Sequence, residues 1–128
     1  VRRALDPPRA PGHVRRMLIY KILRAPEWAA LQSKGETAGA PVDLADGYVH
    51  FSTAGQLAAT AAKHFAGEDG LTLAAVESAP LGGALKWEPS RDGEDFPHLY
   101  RKLRLADVLW SKPLPLGPAG HVLPEEIQ

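Results

Sequence analysis

Apolar residues along this chain fall into short runs closed by glycine, proline or polar pairs, and each run predicts a short element. Met17–Leu23 (MLIYKIL) is apolar and rich in strand formers, which predicts a strand. Pro26 suits the first turn of a helix reaching about Lys34, with Gly35 as its stop. Trp28 and Leu31, three apart, mark that helix's buried side. Residues 36–46 read as a loop with a small apolar anchor at Val42 and Leu44, and Gly47–Phe51 as a second strand. Thr53 followed three positions later by Gln56 is a capping-box pattern. It opens a helix to about Ala66, striped by Leu57, Ala61 and Phe65 and stopped by Gly67. Asp69-Gly70 turns the chain into Leu71–Glu77, a buried strand, and Gly82-Gly83 turns it into Ala84–Glu88, which Pro89 ends. After the polar stretch Ser90–Asp95 come Phe96–Tyr100 and Val108–Lys112. Strands in succession, two helices and no regular strand–helix alternation predict an α+β fold. The expected form is a small, mostly antiparallel sheet, or two splayed sheets, with two helices.

Composition narrows the class. The 128 residues are 45% hydrophobic, enough for one compact domain over residues 17–113, followed by a proline-rich tail over 114–128. Without cysteine there is no disulfide framework, thiolate metal site or cysteine nucleophile. No apolar run approaches the roughly 20 residues of a spanning helix, so a soluble, cytoplasmic protein with no membrane partner is expected. The balance of 15 basic against 15 acidic side chains hides a division. Residues 1–16 hold five arginines against Asp6, together with Pro7, Pro8 and Pro11. They are expected to be a disordered basic arm outside the domain, with Met17 as the start of the protein proper. The remainder carries ten basic and fourteen acidic side chains, which argues against nucleic acid as its partner. Nothing in the pattern decides the oligomeric state.

Three stretches hold polar residues that a purely structural chain does not need. In Tyr48–Thr53 (YVHFST), strand alternation sends Tyr48, His50 and Ser52 to one face. His50 then stands just before a helix start, where free N–H groups and the Ser52 and Thr53 hydroxyls would receive an anion. Against this, the hydroxyls serve equally as helix caps and His50 as a core residue. In Lys86-Trp87-Glu88-Pro89, Glu88 ends a strand beside a polar loop. Apolar neighbours would raise its pKa for general acid–base work, whereas in ionised form it would hold a hydroxyl or steady a cation. The plainer reading is a surface ion pair with Lys86, Arg91 or Lys102. In Phe96-Pro97-His98-Leu99-Tyr100, the side chains of Phe96, His98 and Tyr100 share a face, either as a stacking wall with polar tips or as a packed edge strand. The catalytic candidates are therefore Glu88, His50 and His98. No local spacing supports a metal site, no G-x-S-x-G elbow supports a serine hydrolase, and Gly82-Gly83 is a turn rather than a phosphate loop.

Taken together, Ile19–Ile22, Asp46–Thr53 with Gln56, Lys86–Pro89 and Phe96–Tyr100 resemble the bacterial domain of unknown function 952 over residues 17 to about 113. Arg101 stands where that family usually has a glycine. At longer range the family is similar to the ADP-ribosyltransferase superfold, whose members cleave NAD between two splayed sheets. That resemblance implies a first-strand position at Tyr20-Lys21, where Lys21 replaces the usual histidine or arginine. It implies phosphates held by Lys21 and the helix start after Thr53, and a ribose oriented by Ser52. A ring would stack on Tyr48, Phe96 or Tyr100, with Glu88 on the ribose 2′-hydroxyl and His50 and His98 placing a nucleophile or leaving group. No cofactor is firmly implied, and NAD enters only as substrate or ligand. Two alternatives stand beside ADP-ribosyl or N-glycosidic transfer. One is a domain that binds or senses a nucleotide-like small anion without turnover; the other is a small-molecule hydrolase using Glu88 with His50 or His98.

Overall fold

The computed structural model describes residues 17–90 and 93–127. The expected basic arm and the Arg91 ion pair lie outside these described residues. The elements follow in the order β1 (Leu18–Leu23), α1 (Ala25–Lys34), β2 (Glu36–Thr37), α2 (Pro41–Asp46), β3 (Val49–His50) and α3 (Leu57–His64). Then come β4 (Leu71–Glu77), β5 (Leu85–Pro89), β6 (Asp95–Leu99), β7 (Leu103–Arg104), β8 (Val108–Leu114), β9 (Leu116–Gly117) and β10 (Gly120–His121).

All strand pairing is antiparallel, and the fold is α+β. One three-stranded sheet has the order β1-β4-β8, a second the order β3-β6-β5, and β2–β7 and β9–β10 are two-stranded. The segment through β3 ties the two larger sheets together. Val49 and His50 pair with Leu99 and His98 of β6, and the Phe51 N–H donates to the Pro97 carbonyl at 3.0 Å. One residue on, Ser52 and Tyr20 exchange backbone hydrogen bonds of 2.8 and 2.9 Å. Four residues thus pass from the edge of one sheet to the edge of the other.

Period-two alternation in β1 and β4 builds an apolar core on each face of the first sheet. Ile19 and Val76 join Leu31 of α1 with Phe51 and Leu99, while Tyr20, Ile22, Leu73 and Ala75 pack against Leu57 and Ala61 of α3. Each fully buried leucine here contributes on the order of 1.5–3 kcal/mol. Leu123 and Ile127 of the C-terminal segment pack on the second core, and His121 meets the Glu68 carbonyl at 2.7 Å. The proline-rich tail is therefore hairpin-shaped and docked.

Residues 36–46 correct the sequence reading. Instead of a loop they hold β2 and the six-residue helix α2. Pro41 supplies the first-turn φ, the Asp43 carboxylate accepts the Ala40 N–H at 2.7 Å, and Gly47 closes the helix in the left-handed region. Val42 and Leu44, expected as the anchor, are 55% and 64% exposed. The residue that anchors α2 is the buried Asp43.

Candidate functional site

Strand register alone assembles the centre of the site. His50 of β3 lies directly opposite His98 of β6, and His98 lies opposite Lys86 of β5. Tyr48 and Tyr100 extend the same rows, two residues from His50 and His98. The rings pack as a cluster: Tyr48 stacks on His98 at 4.1 Å between centroids and lies 4.6 Å from His50 and 5.1 Å from Tyr100. The two imidazoles meet edge-on at 5.3 Å.

Each histidine has its own carboxylates. His50 Nδ1 lies 2.5 Å from Asp43 Oδ1, and its Nε2 lies 3.0 Å from Asp46 Oδ2. Both aspartates come from α2, which is why a reading of that segment as loop could not supply them. Asp43 is wholly buried and also receives the Ala40 and His50 backbone N–H groups and the Lys21 ammonium, the last at 3.0 Å. Burial on its own would raise its pKa. The hydrogen bond from His50, the Lys21 charge and the two backbone donors outweigh that and hold it at about 2. Lys21 also donates to the His50 carbonyl at 3.2 Å.

His98 pairs with Glu88, Nδ1 to Oε1 at 2.8 Å, and the Tyr100 hydroxyl donates to the same oxygen at 2.7 Å. Those two hydrogen bonds, Tyr100 first and His98 second, lower the Glu88 pKa. Of the two readings of Glu88, raised for acid–base work or ionised to hold a hydroxyl or a cation, the direction agrees with the ionised one. Tyr100 responds in kind: its bond to the carboxylate, aided by burial, pushes the phenol up to about 12. An ionised carboxylate only accepts, so His98 Nδ1 is the donor and Nε2 is the basic position of the neutral ring. Among the described residues neither His98 Nε2 nor Glu88 Oε2 has a partner. The His98 side chain is 6% exposed and that of Glu88 36%, so a buried nitrogen and a half-open carboxylate stand side by side.

The other sequence candidates divide. Lys21 joins the cluster, though as Asp43's counter-ion rather than as an exposed cation. Tyr20 projects to the opposite face of β1, where its ring packs against Trp110 at 6.0 Å in the second core. Its burial raises its pKa. Ser52 is buried, with its hydroxyl 2.9 Å from that of Thr60 on α3. Thr53 opens the 3-10 turn Ala54–Gln56, and its N–H is taken by Gln56 Oε1 at 3.0 Å. The Gln56 amide donates onward to the Asp95 carbonyl at 2.8 Å, so Gln56 acts as a tether between α3 and β6. Phe96 is half-buried opposite Glu88 and outside the ring cluster. Asp43 and Asp46 are the site residues the sequence reading missed. Pro41, Asp43 at the third helical position and Gly47 were the signal that could have found them.

Two open grooves line the C-terminal segment, around residues 112–126, and neither includes a member of the histidine–carboxylate cluster. Among the described residues no group of three or more His, Cys, Asp or Glu side chains is arranged to hold a metal ion. No described helix is long and apolar enough to cross a membrane.

Solved structures share this arrangement of elements. The X-ray structure of protein CC0527 from Caulobacter crescentus is 48% identical, covers 86% of this chain and 97% of its own, and superposes with a TM-score of 0.81. The solution NMR structure of CC0527 is 50% identical over 81% of this chain and 90% of its own, with a TM-score of 0.74. No curated protein matches. The family described as "Protein of unknown function (DUF952)" matches residues 22–111, and it is to this family that the chain belongs.

Proposed function

We propose that the cluster is an acid–base site for a small molecule that reacts through a cation-like transition state, with N-glycosidic cleavage or transfer as the reaction class. The observation that carries this reading is the state of Glu88. It is ionised, half exposed, fixed on Oε1 by Tyr100 and His98, and open on Oε2. A carboxylate oriented in this way stabilises positive charge as it develops and needs no reorganisation to do so.

In such a reaction the bond to the leaving group breaks heterolytically and the electron pair departs with that group. The carbon left behind carries positive charge, which Glu88 faces. Water then attacks that carbon, and His98 Nε2 takes the proton that water loses. Glu88 fixes the His98 tautomer that makes Nε2 the accepting nitrogen. His50, hydrogen-bonded to Asp43 through Nδ1 and with Nε2 3.0 Å from Asp46, lies beside His98 against the same Tyr48 ring.

The geometry offers less to a pyrophosphate. Lys21 is buried against Asp43, and the Thr53 N–H is bound to Gln56. The sugar-side chemistry of the ADP-ribosyl reading is therefore better supported than its phosphate grip.

The test is release of free base from NAD, nicotinamide riboside and a panel of nucleosides by the full chain. Release is expected to fall roughly 100-fold or more in Glu88→Gln. It should fall by a similar order in His98→Gln. Absence of release from every compound, or release indifferent to Glu88→Gln, would overturn the proposal. Binding without release would leave a sensing domain as the function.

A further inference from the structure

The mouth of the cluster is lined by rings and carboxylates, and among the described residues the cation that reaches it is Lys86. Tyr100 is 41% exposed, and the exposed Lys86 places its ammonium 5.2 Å from the centre of that ring. Two carboxylates flank the wall. Asp46 is 43% exposed and uses Oδ2 on His50, and Glu88 is 36% exposed and uses Oε1 on Tyr100 and His98. Lys21, behind the wall, is buried and neutralised by Asp43.

We infer that this wall is a subsite for a small organic cation with a flat ring, and that the Lys86 ammonium occupies the cation's place until such a ligand displaces it. The inference rests on the acid–base reading of the same site and names the charge class of its substrate. Aromatic faces attract cations through their quadrupole, and an ammonium held on a flexible stem is an exchangeable occupant. The carboxylates then act twice: they draw the cation in, and Glu88 faces the charge that grows when the bond to the ring breaks. Burial and, after it, the negative charges of Asp46, Glu88 and Asp43 raise the Tyr48 phenol, so the field at the wall is negative. The unpartnered nitrogen of His98, on a side chain more than nine-tenths buried, marks the inner end of the subsite.

A charge series of similar-sized rings tests this with no reaction required: N-methylpyridinium, benzyl alcohol and benzenesulfonate, each titrated into the isotope-labelled full chain and followed by NMR. The cation is expected to bind best, with its largest shifts at Tyr48, Glu88 and Tyr100. Lys86→Gln should tighten the cation about three- to fivefold by removing the competing ammonium. Asp46→Asn should weaken it by a similar factor, and added salt should weaken it further. If Lys86 instead exists to hold an anion, benzenesulfonate will bind best and Lys86→Gln will abolish that binding, which overturns the inference. Failure of all three rings to shift the cluster resonances at tens of millimolar overturns it too. Base release without a preference for cations would sink this inference and leave the acid–base proposal standing. Cation binding without base release from any N-glycoside would do the reverse.

Discussion

Asp43 shows how much one buried side chain fixes. It has no exposed surface, yet four donors converge on it from three places: the start of α2, β1 through Lys21, and β3 through the His50 backbone and ring. Replacing it by asparagine removes the charge while leaving Lys21 buried, and breaking a buried pair from one side costs about 3–5 kcal/mol. The pH dependence has a definite sign. Its carboxyl is held at about 2 in the fold against an ordinary 3.8, so the stability this shift contributes is complete above about pH 4. That contribution is lost as pH falls through the range from 4 to 2. Urea midpoints measured from pH 6 to pH 2 should therefore fall for the wild type by an extra amount equivalent to roughly 2–3 kcal/mol relative to Asp43→Asn. Parallel acid limbs for the two proteins would show that Asp43 is not the group responsible.

At the scale of elements, α2 is the piece that brings two carboxylates to the histidines, and its approach depends on the glycine before it. Gly39 has φ of +101°, and a Cβ there would fall on the Asp43 carboxylate. Gly39→Ala must push α2 away from β3, at an expected cost of roughly 2–4 kcal/mol by denaturant unfolding. Gly55 has open space around it and no positive φ, so Gly55→Ala should change stability by no more than about 1 kcal/mol. Equal losses would mean that the Gly39 contact does not govern docking. The same element explains what could be read from sequence. β1 and β4 were legible as continuous apolar runs rich in strand formers, α1 from Pro26, Gly35 and the spacing of Trp28 and Leu31, and the shared face of His98 and Tyr100 from strand alternation. α2 carries no apolar period: its large apolar residues Val42 and Leu44 are exposed and its one buried residue is an aspartate, the inverse of the usual pattern. The Ser52–Thr60 and Gln56–Asp95 bonds were equally hidden, since hydroxyls and amides near a helix start look alike whether they meet a ligand or a neighbouring element. For Glu88 the sequence left a raised and an ionised form side by side, because the donors that lower its pKa, His98 in β6 and Tyr100 just beyond it, lie ten and twelve residues further along the chain.

For the whole molecule, the first sheet divides the interior into two cores, only one of which underlies the site. Leu99 follows His98 in β6 and is buried with Phe51, Val49 and Leu103, so it supports the strands that hold both histidines. Leu114 is buried to the same degree at the end of β8, in the core against α3 and the C-terminal segment. Truncating either to alanine removes similar apolar volume, and each change should cost about 2–5 kcal/mol. Their effects on the site should differ. Leu99→Ala leaves a cavity under the β3–β6 pair, so the stacked rings of Tyr48 and His98 should loosen and the imidazole NMR signals of His50 and His98 should shift or broaden. Leu114→Ala should destabilise the fold to a similar extent while leaving those signals in place, because the intervening sheet separates its cavity from the rings. Matching disturbance of the imidazoles by both variants would mean that the two cores behave as one. Disturbance by Leu99→Ala alone would show that the β3–β6–β5 sheet, together with the core beneath it, is the unit that positions the site.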